Sequence, residues 1–469
     1  MKHQSRMKVI FLLLLVSSLA ACSSIPKDEG ITDVESIYER HIGKQIQLPK
    51  PSAAQPLSDA DITKILSEAI SLSDAERLSI WANPSLKATL SKVGVAEADY
   101  AQAGRMENPG FAYERFSGSD YTKSVLFDIG GVLLMPLKRR MESRRLKTSR
   151  YQAASNVFAH ISATRNAWFN AVAEKQHSAL LERALESAET GNHLTRQMAA
   201  LGHSSVVDAA ESELFLGELR VALTRQRLAQ SDARERLVKQ LGLWGVEARN
   251  LKIPDQLPKL PEEEIRIEAV ERHAIETRLD VKLGKLLVES MGKNLKLTRL
   301  NPFISAIEAG PVLESAEGDK ERGYEIEFRI PLFDIGDVKS HKAKILYEQS
   351  MAQAEATAIK AASSARQALK GYQVAFDIAN QYRSKLLPLK QRISDETMLR
   401  YNGMLISVFD LLKDVRSSIE LESNYVDALK EFWIADTGLQ QAIAGVDTQP
   451  MDFAGSGMKS FSKSDAEGH

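Results

Sequence analysis

Through most of this chain apolar residues recur at helical spacing, but residues 323–337, "GYEIEFRIPLFDIGD", alternate apolar and charged side chains until a proline interrupts them. A period of two marks a strand with unlike faces. Tyr324, Ile326, Phe328 and Ile330 would share one face, and Glu325, Glu327 and Arg329 the other. The same reading predicts four strands in two pairs, 111–115 with 123–135 and 303–309 with 323–330, joined by the polar turns "SGSDYT" and "SAEGDKERG". Within 125–135 the alternation breaks at Gly130-Gly131 and in the run "VLLM", so the pattern leaves the facing open there.

The helical stretches are long. No strong breaker interrupts 138–200, and only Pro388 interrupts 338–400. Each predicts a helix of about 60 residues, roughly 90 Å at the usual rise. Glycine-bearing turns at Gly202 and Gly403 then lead into returning helices. In the second of these, Val408, Leu412, Val415, Ile419, Glu422, Val426, Leu429 and Trp433 alternate four- and three-residue steps, a coiled-coil seam with one polar interruption. In the first, Val207, Ala210, Leu214, Gly217, Val221, Thr224 and Leu228 keep the spacing with smaller residues, which predicts a closer approach to the partner helix.

These elements recur in order. "ENPGFAYERF" at Glu107 is echoed by "LNPFISAIEA" at Leu300, an offset of 193, and "LLMPLKRRM" at Leu133 by "FRIPLFDIG" at Phe328, an offset of 195. "LGHSSVVD" at Leu201 pairs with "NGMLISVFD" at Asn402. Each half therefore reads helix, Asn-Pro, strand, turn, strand, Pro-Leu, long helix, glycine turn, long helix, with Pro136 and Pro331 at the strand-to-helix junctions. Four strands isolated among such helices cannot bury themselves as an independent sheet. A membrane barrel would supply their missing neighbours, with apolar residues toward lipid and polar ones toward a watery lumen.

The N-terminus adds a destination. Lys2, Arg6 and Lys8 precede a 13-residue apolar run, the core of a signal peptide and too short to span a bilayer. Leu19-Ala20-Ala21-Cys22 follows and resembles a bacterial lipobox; Cys22 is the only cysteine of the chain, so a disulfide framework and a thiolate metal site are both excluded. Acylation at Cys22 would anchor the protein, and Ser23-Ser24 in place of an acidic residue points by the same resemblance to the outer membrane. The expected organisation is a signal peptide (1–21), a lipidated extended tether (22–60), a first repeat (61–245), a linker (246–264), a second repeat (265–445) and a disordered tail (446–469).

Composition removes other classes. The 469 residues carry a formal charge of −1 with cations and acids interspersed, so nothing suggests nucleic acid. The nine histidines are scattered, and His193 and His203 beside the first tip read as surface residues. No phosphate-cradling loop, nucleophile elbow or acid pair appears. Neither an enzyme nor a cofactor beyond the covalent lipid is expected. A lipid-anchored periplasmic coiled-coil scaffold without a pore would also explain the seams and Cys22, though not the recurring strands.

Three stretches carry a family resemblance: "ANPSLKATLSKVGVAEADYAQAGRMENP" from Ala82, "IPLFDIGDVKSHKA" from Ile330 and "RYNGMLISVFDLL" from Arg400. In this order and duplication the chain resembles the TolC family of outer-membrane efflux proteins, in its lipid-anchored branch, over about 61–444. That resemblance implies a mainly helical fold, with long antiparallel coiled-coil helices forming a periplasmic α-barrel. Four strands per chain would enter a 12-stranded barrel shared by a homotrimer. It further implies a passive exit duct in the outer membrane of a Gram-negative bacterium, whose tips at Gly202 and Gly403 meet a periplasmic adaptor joined to an inner-membrane transporter. Asp410 matches the first of two aspartates that line the family's constriction, and Asp208 is its counterpart in the first hairpin. The second position falls on Lys413, with Asp414 beside it as the remaining candidate.

Overall fold

The structure, a computed structural model, describes residues 25–50, 57–116, 120–264, 267, 269–298, 307–316, 319–328 and 337–445. Cys22 with the segment before it, Pro331 and the tail from 446 onward lie outside the described residues. Four helices open the order: α1 (Ile31–Ile42), α2 (Asp59–Ser67), α3 (Leu72–Ala82) and α4 (Pro84–Ala103). Then come β1 (Gly110–Arg115), β2 (Tyr121–Asp128), the 72-residue α5 (Ile129–Ala200) and α6 (Val206–Leu241). Helices α7 (Gly245–Asn250), α8 (Val270–Thr277) and α9 (Leu279–Thr298) precede β3 (Ile307–Ala316), β4 (Asp319–Phe328) and α10 (Asp337–Gln381). A π-helical turn, Tyr382–Leu386, joins α10 to α11 (Leu387–Asn402), and α12 (Val408–Ala444) completes the helical body.

Helix α5 packs between α6 and α12, and α12 in turn packs on α10, so the two hairpins lie side by side. Their shared core is aromatic at mid-height: Phe169 stacks on Trp433 at 5.6 Å, and Phe432 meets Tyr372 at 5.4 Å. The buried indole N–H of Trp168 donates to the Ile70 carbonyl (3.0 Å), so its burial leaves no polar atom stranded.

Several expectations are corrected. The tether was expected to be extended, yet within it α1 buries Ile31, Val34, Ile37 and Tyr38 in a second core with Leu90, Val93, Phe158 and Ile161. Its apolar residues recur at i, i+3 and i+6/i+7, a stripe that needs a partner. The 246–264 segment is a packed belt: Ile253, Leu257 and Leu260 are buried, and the Pro258 carbonyl accepts from Trp433 Nε1 (3.0 Å).

Pro136 is no junction. The strand ends at Asp128, whose Oδ1 accepts from the Gly131 N–H (2.6 Å) and caps α5; Pro136 then sits inside the helix. It has no N–H for the Val132 carbonyl, and the helix runs through that missing bond. The predicted strand 123–135 therefore ends early, because the Gly130–Met135 run is helical. The second hairpin is longer than expected. Residues 315–316 and 319–322, assigned to a turn on polarity, pair across the strands, with Ser315 opposite Lys320. Residues 303–306 lie outside the described residues.

At Pro388 the chain solves the proline problem differently. The Leu387 N–H reaches back five residues to the Tyr382 carbonyl, and the widened turn makes room before the ring at the start of α11. A further correction concerns α6. The face it turns to α5 carries Ser212, Leu216, Leu223, Ala233 and Leu237, all buried. Val207, Leu214, Val221 and Leu228, the seam expected to pack there, are exposed on another side. Helix α6 thus carries two stripes of heptad spacing, and periodicity could not rank them.

Candidate functional site

The four strands form one antiparallel sheet in the order β1-β2-β3-β4. Residues directly opposite share a face, so register sorts every side chain. Phe111 lies opposite Val125, Tyr113 opposite Lys123, Phe127 opposite Ala309, and Ala309 opposite Ile326. This face is apolar and open: Phe111 is 69% exposed and Tyr324 89%. Arg115, Lys123, Lys320 and Arg322 stand on it at the end nearest the hairpin turns, with the Lys123 ammonium 4.9 Å from the Tyr121 ring centroid.

The opposite face carries eight acids, Glu114, Asp128, Glu308, Glu314, Asp319, Glu321, Glu325 and Glu327, and the described residues of that face include no Lys or Arg. Glu308 lies opposite Glu327, and Glu314 opposite Glu321. Like charges directly opposed are destabilising unless water screens them, so this face is built to be wet. Among the described residues no helix is long and apolar enough to cross a membrane.

At the other end of the helical body lie the two tips. In the first, the His203 N–H reaches the Met198 carbonyl (2.8 Å), and Gly202 takes the left-handed conformation at φ 76°. In the second, the Leu405 N–H reaches the Arg400 carbonyl (2.9 Å), and the left-handed residue is Met404 at φ 55°. Gly403 sits one residue earlier at φ −79°, a conformation open to any residue. The expectation that Gly403 provides the reversal is therefore corrected. The two turns superimpose at an offset of 202, from Ser205 to Ser407 and from Asp208 to Asp410, which makes Met404 the counterpart of Gly202.

Both candidate aspartates close capping boxes. The Asp208 N–H donates to Ser205 Oγ (3.0 Å), while Asp208 Oδ2 accepts from the Ser205 N–H (3.0 Å). Asp410 repeats this with Ser407 at 3.3 Å and 3.0 Å. Hydrogen bonding to the serine side chain, then to its backbone, holds each carboxyl below the ordinary carboxylate range. Both remain at the surface as fixed negative charges at helix starts. Asp414 differs: Lys390 Nζ lies 2.6 Å from its Oδ1, and the Ser394 hydroxyl donates to its Oδ2 (2.6 Å), with the two ionic side chains only 14% and 10% exposed. Its charge is compensated within its own hairpin.

One cluster had no signal in the sequence, because its members are some 250 residues apart. His177 of α5 places Nε2 3.2 Å from Asp427 Oδ1 of α12, and Ser423, one turn earlier, lies 3.0 Å from Nδ1. The imidazole contact, reinforced by Lys430 at 2.8 Å, holds the Asp427 carboxyl at about 2. With Arg183–Glu422 at 3.5 Å it ties the first hairpin to the second. His193 and His203 make no comparable cluster, and among the described residues no group of three or more His, Cys, Asp or Glu is placed to hold a metal ion.

No protein-family model and no curated protein matches the sequence. Solved structures match its fold. The CmeC outer membrane channel of Campylobacter jejuni aligns with TM-score 0.67 at 15% identity, covering 85% of this chain and 94% of that one. A membrane protein of Pseudomonas aeruginosa gives 0.67 at 18%, with 86% and 100% covered, and the outer membrane protein VceC of Vibrio cholerae 0.63 at 13%, with 81% and 97%. At these identities the likeness is one of architecture. The chain has the TolC-like fold its duplicated pattern led us to expect, mainly helical with one small four-stranded sheet.

Proposed function

We propose that this protein is the outer-membrane exit duct of a tripartite efflux pump, conducting substrate passively without chemistry of its own. One observation carries the reading: an open four-stranded sheet with an exposed apolar face, an opposite face bearing eight acids and no cation among the described residues, and β1 and β4 each paired on one side only. Three copies would close those edges into a 12-stranded barrel, with the apolar face toward lipid and the acids lining water. Rings of carboxylates favour cations, so the conduit would be cation-preferring. The architecture shared with an outer membrane channel of C. jejuni and an outer membrane protein of V. cholerae supports this reading. Acylation at Cys22 would add an anchor, and the tips around Gly202 and Gly403 would meet a periplasmic adaptor joined to an inner-membrane transporter.

The test is a planar-bilayer recording of the purified full-length protein beside a deletion strain challenged with a broad compound panel. The expected results are discrete, cation-preferring currents and increased sensitivity to exported compounds; absence of both would overturn the reading. A Cys22→Ser variant directed to the periplasm separates a barrel from a scaffold, since a barrel stays detergent-dependent and a scaffold becomes soluble. For Asp208 and Asp410 as aperture residues, the motivation is their position directly after the tips. Asp208→Asn with Asp410→Asn should alter conductance or selectivity, and unchanged currents would remove that role.

A further inference from the structure

The first turns of α5 change character abruptly. Residues 129–137 are almost wholly apolar, with Leu133 63% exposed, whereas residues 138–150, "KRRMESRRLKTSR", hold seven cations and a single acid. Both belong to one helix directly below the sheet. Ile129, Leu133, Pro136, Arg140, Arg144 and Lys147 follow steps of four, three, four, four and three, so they form one continuous stripe along its surface. That stripe begins apolar and ends cationic.

The other cations of the run have local partners. Lys138 pairs with Glu107 at 3.7 Å, Arg145 with Asp99 at 3.8 Å, and Arg150 with Asp33 at 2.6 Å. Arg140, Arg144 and Lys147 form no ion pair with a described residue, although Arg144 and Lys147 lie near enough to Glu289 to lower its carboxyl after Lys293 has done so. In the second repeat α10 also carries cations in its first turns, Lys339, Lys342 and Lys344 after the exposed Val338, but there Lys339 and Lys344 have partners, Lys344 with Glu348 at 3.8 Å.

Resting on the duct reading, we propose that Arg140, Arg144 and Lys147 bind the anionic glycerophospholipid headgroups of the periplasmic leaflet. An apolar helix surface running into cations matches a leaflet read from acyl chains to headgroups. A stripe facing the watery conduit would have no use for exposed Leu133, and one merely solvated would have no reason to adjoin the apolar turns.

The experiment reconstitutes the full-length protein in nanodiscs of phosphatidylcholine with one third phosphatidylglycerol, extracts it gently and counts retained lipids by native mass spectrometry. Wild type should retain phosphatidylglycerol preferentially, by about fivefold per engaged cation. The variant Arg140→Glu/Arg144→Glu/Lys147→Glu should lose the preference, Arg140→Gln/Arg144→Gln/Lys147→Gln should weaken it, and Arg196→Glu/Arg225→Glu/Arg236→Glu, altered far from the sheet, should keep it. Equal retention of both lipids by wild type, or an unchanged preference in the charge-reversed variant, would overturn the inference while leaving the duct intact. So would displacement of the retained lipid by millimolar inorganic phosphate, which would identify an anion site, or dissociation of the charge-reversed oligomer, which would place the stripe between copies. Failure of wild type to enter any bilayer would remove the duct reading itself.

Discussion

The two hairpin tips share one hydrogen-bond plan and differ in what fills it. Gly202 occupies the left-handed position without a Cβ, whereas Met404 bears the steric cost of the same φ/ψ region. Behind the second tip lies a nearly buried Lys390–Asp414 pair; at the same offset the first hairpin has Ala188 and Ser212. The first long helix is unbroken for 72 residues, and the second is interrupted by a π-turn before Pro388. The two halves thus keep one backbone plan while differing in the side chains at the tip and in the continuity of the long helix. The second carries both a strained residue and a charge pair that fails if either member is lost.

Removing Lys390 should break this comparison most severely. Lys390→Ala strands a poorly exposed carboxylate and should destabilise the second hairpin by about 3 kcal/mol. Amide exchange there would accelerate by roughly a hundredfold while the first tip keeps its rate. Adding Asp414→Ala should restore most of the loss. A smaller effect is expected from exchanging the turn residues. Gly202→Met should loosen the first tip by about 1–2 kcal/mol, and Met404→Gly should tighten the second by up to about 1 kcal/mol, inverting their order of exchange protection. Ser205→Ala and Ser407→Ala should each cost about 1 kcal/mol, and equally, because the capping boxes are alike. Unequal losses would show that the tips differ in more than the turn residue.

Acid should act mildly and on both tips together. Asp208 and Asp410 have carboxyls held below their unfolded values. Their contribution is therefore complete above the ordinary carboxylate pKa near about 3.9 and is lost as pH falls through the lower folded value. Asp427, at about 2, follows the same sign, so its tie to His177 should outlast the ordinary carboxylates and release last. Exchange protection at the tips measured between neutral pH and pH 3 should decline in parallel for the two hairpins.

Much of this was legible in the chain. Alternation placed Tyr324 and Ile326 on one face and Glu325 and Glu327 on the other, because strand periodicity is local. The aspartates after the two tips, Asp208 and Asp410, stood out as counterparts, whereas their capping boxes with Ser205 and Ser407 are seen only in the structure. The α6 seam was misread because Val207–Leu228 and Ser212–Leu237 have equal spacing, and only the position of α5 distinguishes them. Pro136 looked like a boundary because a proline is a strong breaker in water, yet the Asp128 cap had already started the helix.

The sequence by itself determined the repeat, the helix–strand order and the two-faced strands, since each follows from backbone periodicity over a few residues. Tertiary structure alone decided which tip residue takes the left-handed conformation, which α6 stripe is buried, and that His177 finds Asp427 across 250 positions. Those outcomes depend on the energies of contacts between distant segments, which spacing along a chain does not encode.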